Sequence, residues 1–212
     1  MTDALADRLR GGARAELLDR AASALGEGRV VAIPTDTVYG LAVLPGHDSA
    51  TDRLFALKER PGSQSLPVLV SGIEQADRLA EGGLSPSARR IAERFWPGGV
   101  TLVVRRSGQV SWTLGGDETT VGVRCPADQF ARALCERVGP LATTSANLHG
   151  DEPLKSAGEI RRAFGDRVAL VVDGGYLHGP SSTVVDTTAC EPRCVREGAV
   201  PFDEIIAVGD QT

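Results

Sequence analysis

Short apolar runs bounded by glycine or proline alternate along this chain with longer stretches whose apolar residues recur at helical spacing. A strand buried on both faces reads as a continuous apolar run, whereas a helix packed on one side repeats every three or four residues. Alternation of the two leaves few arrangements other than a sheet with helices laid against it. The first pair shows the pattern. Residues 13–27 place Leu17, Leu18, Ala21, Ala22 and Leu25 on one helical face, and Gly26 and Gly28 supply the stop. Residues 29–33, RVVAI, follow as a buried strand bounded by Pro34.

The same reading predicts extended segments at 39–43, 66–70, 100–105, 119–124, 141–143, 168–172 and 183–186, with a last short one at Val195. Helical spacing marks 49–59, 73–80, 85–95, 127–138 and 156–164. Ser85-Pro86 reads as an N-cap and first helical residue. A Gly-rich loop, with no helix, joins the segments 100–105 and 119–124. The class expected is therefore α/β (or α+β) with a mixed sheet, not a purely parallel one. No repeat, low-complexity stretch or long linker divides the sequence, so one domain over 1–212 is expected, with a motif-bearing core at about 14–200.

Charge and cysteines narrow the function classes. The formal net charge is −5, and the pairs Arg89-Arg90, Arg105-Arg106 and Arg161-Arg162 are short and scattered. A chain that lives on nucleic acid usually carries a basic excess or run. Cys125, Cys135, Cys190 and Cys194 form no CxxC pair and no zinc spacing, which points to free thiols in a reducing cytosol. Residues 1–14 hold no signal-like apolar run, and no stretch is long and apolar enough for a bilayer. A cytoplasmic protein with no membrane contact is expected.

Familiar catalytic signatures are absent from the sequence: GxxxxGK[ST], GxGxxG after a strand, HExxH and GxSxG. His47, His149 and His178 stand alone, and Asp36, Asp117 and Asp173 are scattered acids that nothing pairs. What remains is a set of polar clusters at element ends. PTDTVYG at 34–40 offers hydroxyls to a small ligand, or a turn whose Thr and Asp satisfy their own backbone. Lys58-Glu59-Arg60-Pro61 offers a phosphate clamp, or cations complementing a helix C-terminus. Thr143-Thr144-Ser145-Ala146-Asn147 follows a short strand and reads as a ligand-facing loop or a capping network. Pro180-Ser181-Ser182, preceded by Gly174-Gly175, again sets small residues and hydroxyls before a strand.

Taken in order, PTDTVYGL, LKERP, FWPGGVTLV, TVGVRCP, TSAN, VDGG, SSTVVD and VREGAV resemble the signatures of the YrdC-like family of L-threonylcarbamoyladenylate synthases. They run from about Val30 to Val200. The resemblance implies a YrdC/RibB-like fold, a twisted mixed sheet flanked by helices with a concave, positively charged hollow. It implies a nucleotidyltransferase that condenses L-threonine, bicarbonate and ATP to threonylcarbamoyl-AMP and pyrophosphate, for N6-threonylcarbamoyladenosine in tRNA. The family's ATP contacts fall on Lys58, Arg60, Thr120, Ser145, Asn147 and Arg196, with Lys58 and Arg60 as catalytic cations. Its threonine contacts fall on Thr37, Arg124, Thr143 and Ser182.

The implied chemistry needs no protein nucleophile, in keeping with the lack of one in the motifs. It needs positioning and stabilised phosphate charge. Mg²⁺ is expected on ATP itself, held by phosphates and water, with no dedicated protein metal site. The implied partners are a threonylcarbamoyl transferase complex that modifies tRNA and, as the alternative on this fold, double-stranded RNA in a ribosome-maturation role. Against RNA stand the net charge and an aromatic content of only 4%. The chain departs from the family pattern at Ser65 (often Pro), at Leu69 (His in the long form) and at His149 (often Ser), which bears on the fine shape of the threonine pocket. With little beyond VREGAV, it resembles the short form of the family.

Overall fold

The computed structural model describes residues 3–47, 49–58, 64–148 and 151–209. In chain order the first half runs α1 (Asp3–Gly26), β1 (Val31–Ile33), β2 (Gly40–Val43), α2 (Ala50–Lys58), β3 (Val68–Leu69), α3 (Ile73–Leu79), α4 (Pro86–Phe95) and β4 (Val100–Arg105). The second half runs β5 (Thr120–Arg124), α5 (Gln129–Val138), β6 (Leu141–Ser145), α6 (Ala157–Phe164), β7 (Leu170–Val171), β8 (Thr183–Asp186), β9 (Arg193–Arg196) and α7 (Phe202–Gly209). A single 3₁₀ turn, Gly165–Arg167, leads from α6 toward β7.

Among the described residues the strands form one nine-stranded sheet in the order β7-β1-β2-β6-β3-β5-β4-β8-β9. The pairs β7·β1, β3·β5 and β4·β8 are parallel. The pairs β1·β2, β2·β6, β6·β3, β5·β4 and β8·β9 are antiparallel. The mixed sheet expected from the sequence is what forms.

The two-residue period of the strands divides the interior between two cores. Val31 and Ile33 of β1, Ala42 of β2 and Leu141 of β6 join Ala21, Ala24 and Leu25 of α1 and Phe130, Leu134 and Cys135 of α5. Their chain neighbours Ala32, Leu41, Val43 and Ala142 face the other way. They meet Leu54 of α2, Ile91 of α4, Ile160 of α6 and Ile205 of α7 in a larger core. Helix starts follow the local chemistry. The side chains of Ser85, Asp128 and Ser156 accept from Ala88, Ala131 and Glu159 backbone N–H groups at the heads of α4, α5 and α6.

Some boundaries differ from the sequence reading. Helix α1 continues N-terminally through Gly11-Gly12, where the apolar spacing is interrupted. Strand β3 shrinks to Val68–Leu69 because Pro67 has no N–H to give, and Leu66 N–H bonds instead to Leu114 O at 2.8 Å. Helix α7 has no counterpart in the sequence reading. It packs against α4, and its Ile205 is fully buried. No helix among the described residues is long and apolar enough to cross a membrane.

The cysteines divide by environment. Cys125 and Cys135 are buried, and Cys190 and Cys194 are exposed, all as free thiols. Burial pushes the Cys125 thiol up to about 11 and raises that of Cys135 as well, so neither forms the reactive thiolate at neutral pH. We predict that a thiol reagent added to the native protein at pH 7 modifies Cys190 and Cys194 quickly and leaves Cys125 and Cys135 unmodified until the chain is unfolded. Peptide mass mapping before and after denaturant checks this.

Candidate active site

Helices α1 and α5 cover the sheet face that carries Val31, Ile33 and Ala42, and they stop short of β4, β8 and β9. Cross-strand register shows which side chains share that face. Ala42 pairs with Thr143 and Gly40 with Ser145, while Leu69 pairs with Arg124. Cross-strand partners project to the same side. The face therefore presents Thr143 and Ser145 of β6, Leu69 of β3 and Arg124 of β5 in adjacent rows just beyond the helical cover. They open into a cavity of about 160 Å³, closed from above by Thr35, Thr37 and Val38 and from the side by Ser181, Ser182 and Arg196. At about one water per 10–15 Å³ of such volume, it holds on the order of ten water-sized groups. That is room for a small polar molecule.

Arg124 dominates the cavity. It is only 6% exposed, and each of its nitrogens has a partner. Nε donates to Gly98 O at 2.9 Å, Nη1 to Thr37 Oγ1 at 2.9 Å and Nη2 to Asp36 Oδ1 at 2.8 Å. Burial pulls the guanidinium below its ordinary value, and the Asp36 carboxylate opposes that pull. The fork keeps further N–H donors, which suit a carboxylate.

The loop over the cavity is a product of its own hydroxyls. Thr35 Oγ1 donates to Val38 O at 2.6 Å and accepts from Thr37 and Val38 N–H groups, both at 3.2 Å. The turn reading of this cluster thus holds for Thr35. Its single proton is spent on Val38, so in the 3.1 Å contact between the hydroxyls Thr37 is the donor. Tyr39, fully buried, ties this loop to the Gly174-Gly175 segment, donating to Gly175 O at 2.8 Å and accepting from Gly174 N at 2.9 Å. Burial raises its phenol above the ordinary value, so it remains a donor.

The opposite wall is built in the same way. Ser182 Oγ lies 2.8 Å from Thr101 Oγ1, and Arg196 Nη2 donates to Ser182 O at 2.8 Å. Behind them Thr183 Oγ1 accepts from the Gly198 and Val200 N–H groups, holding the VREGAV segment against β8. Thr143 Oγ1 reaches Pro67 O at 3.3 Å.

A second polar centre adjoins the cavity at Ser145. Lys58, at the end of α2, is 3% exposed and donates to Ser145 O and Asn147 Oδ1, both at 2.7 Å. Ser145 Oγ also donates to Asn147 Oδ1, and Asn147 Nδ2 donates to Leu148 O and Asp151 O at 2.8 Å. Lys58 does sit in the last turn of α2, as expected, but it is buried there. A buried ammonium must be tied to acceptors, and those of β6 and its following loop supply them.

The structure thus gathers Thr37, Arg124, Thr143 and Ser182 around one cavity, with Ser145 and Arg196 on its walls and Lys58 and Asn147 beyond Ser145. Thr120 does not line it. It lies on the same face of β5, four residues from Arg124, or roughly 13 Å along the strand. Arg60 and His149 lie outside the described residues. Of the departures from the family pattern, Leu69 lines the cavity, whereas Ser65 bonds to Gly115 O at 3.0 Å and does not. Two site-building residues are not singled out by the sequence reading. Thr101 sits within an apolar strand, and Asp36, there a scattered acid, is here the ion-pair partner of Arg124. The signal for Asp36 was its place between the hydroxyls of Thr35 and Thr37.

The fold and cavity define a mixed-sheet α/β protein with a small polar cavity, dominated by a buried arginine, beside a buried lysine. The chain belongs to the Sua5/YciO/YrdC family, whose model, described as telomere recombination, matches residues 23–198. A threonylcarbamoyl-AMP synthase of Pyrococcus abyssi is 37% identical over 187 residues, covering 87% of this chain and 55% of that protein. A threonylcarbamoyl-AMP synthase of Thiobacillus denitrificans is 40% identical over 163 residues, covering 76% of this chain and 86% of its own length. The crystal structure of P. abyssi Sua5 complexed with L-threonine superposes with a TM-score of 0.85 at 37% identity, covering 90% of this chain and 56% of that one. The chain thus spans about half the length of its Pyrococcus relative and nearly all of the Thiobacillus one.

Gly198 is where the backbone packing of the site is tightest. A Cβ there would overlap the carbonyl oxygen of Ser181 and the carbonyl group of Ser182. We predict that Gly198→Ala pushes the Ser181-Ser182 wall inward, costs about 1–3 kcal/mol of stability, as overpacking does, and weakens ligand binding at the cavity. Urea denaturation together with binding calorimetry checks both effects.

Proposed function

We propose that the chain is a threonylcarbamoyl-AMP synthase, which condenses L-threonine, bicarbonate and ATP to threonylcarbamoyl-AMP and pyrophosphate. The observation that carries this reading is the convergence of Arg124, Thr37, Thr143 and Ser182 on one small cavity, with the Lys58–Ser145–Asn147 centre next to it. Arg124 takes the threonine carboxylate through its planar fork. The surrounding hydroxyls take the threonine hydroxyl. The amine combines with bicarbonate, losing water, to an N-carboxylated threonine. An oxygen of that new carboxylate attacks the α-phosphorus of ATP and expels pyrophosphate.

The protein's contribution is to hold the reacting groups in line and to meet the charge that develops on phosphate. Lys58, already desolvated and aimed past Ser145, supplies a fixed positive charge for this, with Arg60 as its proposed companion. Thr120 and Arg196 are the further nucleotide contacts. Mg²⁺ enters with ATP, held by the phosphates and water, and neutralises part of the phosphate charge. The product is an acyl phosphate anhydride, so the proposed recipient is a transferase complex that delivers the threonylcarbamoyl group to tRNA, in the cytoplasm.

The direct test is pyrophosphate release by the purified protein. We predict release only when ATP, threonine and bicarbonate are all present, and equal release with threonine or bicarbonate omitted would refute the reading. Lys58→Ala should slow adenylate formation by about 100-fold to 1,000-fold, the usual effect of removing one donor to developing charge. Threonine binding should survive it, because Lys58 does not line the threonine cavity.

Selectivity among amino acids follows from the hydroxyl-lined wall. Serine keeps the hydroxyl and lacks one methyl, a loss of about 1–3 kcal/mol. Valine has the shape but brings no hydroxyl to bond with the hydroxyl-lined wall. We predict the order threonine, serine, valine in competition assays, and a valine rate equal to that of serine would show that the hydroxyls of Thr37, Thr143 and Ser182 do not read the substrate.

A further inference from the structure

Asp36 does not line the cavity, yet it is joined to the residue that dominates it. One of its oxygens, Oδ1, accepts from Arg124 Nη2 at 2.8 Å and from the Ala127 backbone N–H at 2.8 Å. Ala127 lies between the end of β5 and Asp128, the N-cap of α5. A single oxygen therefore fastens the loop after β1 to the end of β5 and to the entry of α5.

The three anchors of Arg124 are not equivalent. The Gly98 carbonyl fixes only the Nε edge of the guanidinium. The Thr37 hydroxyl lines the cavity itself, so an incoming ligand competes for it. Asp36 is the charged anchor, and it stands outside the cavity, where a ligand does not displace it. An arginine side chain has many rotamers, and a two-point contact with a carboxylate needs one of them held in advance.

The geometry points to Asp36 as a positioning residue for amino-acid recognition: it holds the Arg124 guanidinium so that its remaining N–H donors face the cavity. The inference builds on the reading of that cavity as the threonine site. Because one oxygen makes both bonds, the role belongs to the position of that oxygen, and an amide oxygen in the same place can serve it.

Two variants separate position from charge. Asp36→Asn keeps an oxygen at the Oδ1 position and removes the charge, whereas Asp36→Ala removes both. The measurements are calorimetric titration with L-threonine, the same with a non-hydrolysable ATP analogue, and ¹⁵N NMR of the Arg124 side chain in the ligand-free protein. For Asp36→Ala we expect threonine affinity to fall about tenfold or more, as for a lost hydrogen bond to a charged group, with the ATP analogue within about twofold and Asp36→Asn within about threefold of the parent. In the ligand-free protein the Arg124 Nη signals should be resolved in the parent and in Asp36→Asn, and averaged by free rotation in Asp36→Ala. Unchanged threonine affinity or unchanged Arg124 signals in Asp36→Ala overturn the inference. So does an equal loss of threonine and ATP-analogue affinity, or an Asn variant as impaired as the Ala variant. If the parent protein fails to bind threonine while Asp36→Ala still frees the Arg124 guanidinium, the threonine reading falls and the positioning role stands.

Discussion

Burying the guanidinium of Arg124 constrains everything around it. Arginine stays charged under all ordinary conditions, and removing that charge from water is costly unless an opposite charge and acceptors replace the solvent. Here the replacement comes from three separate stretches: Asp36 and Thr37 after β1, Gly98 before β4, and Ala127 ahead of α5, which locks Asp36 in turn. The loops over the sheet are therefore drawn together by a single charge. Their closure creates a small cavity where the α1 and α5 cover ends.

Lys58 poses the same problem a short distance away and solves it differently. It is held by the Ser145 carbonyl and the Asn147 amide oxygen, which are neutral acceptors. The two buried cations thus divide the site. Arg124 is paired with Asp36 beside the cavity, and Lys58 is tied to the end of β6 and the loop that follows it. Ser145, shared between the cavity wall and the Lys58 centre, lies where the two meet.

The relatives place this arrangement in a family whose members differ in length. The Thiobacillus enzyme is about as long as the present chain, whereas the Pyrococcus enzyme is about half as long again. All the residues that build the cavity, from Thr35 to Arg196, fall within the stretch matched by the family model. Gly198, at the limit of that stretch, closes it sterically, since its lack of a side chain lets the segment after β9 lie against Ser181 and Ser182.

Much of this was legible locally. The periodicity of the apolar residues is a property of consecutive positions, and it located most strands and helices, with Ser85 marking the head of α4 by capping chemistry that acts over three residues. The ordered motifs named the family and pointed to Thr37, Arg124, Thr143, Ser145 and Ser182 before any coordinates. Local pattern could not show that Lys58 is buried, that Thr101 faces the cavity, that Asp36 answers Arg124, or that residues 202–209 form a helix. Asp36 and Arg124 are 88 positions apart, and Lys58 and Asn147 are 89 apart. Such pairings are set by strand order and register, and a helix of two turns is stabilised by what it packs on. The sequence by itself determined the elements and the chemical groups available, because periodicity, caps and motifs are written in neighbouring residues. Only the tertiary structure decided which charges meet and which face stays open, because burial is a property of the assembled sheet.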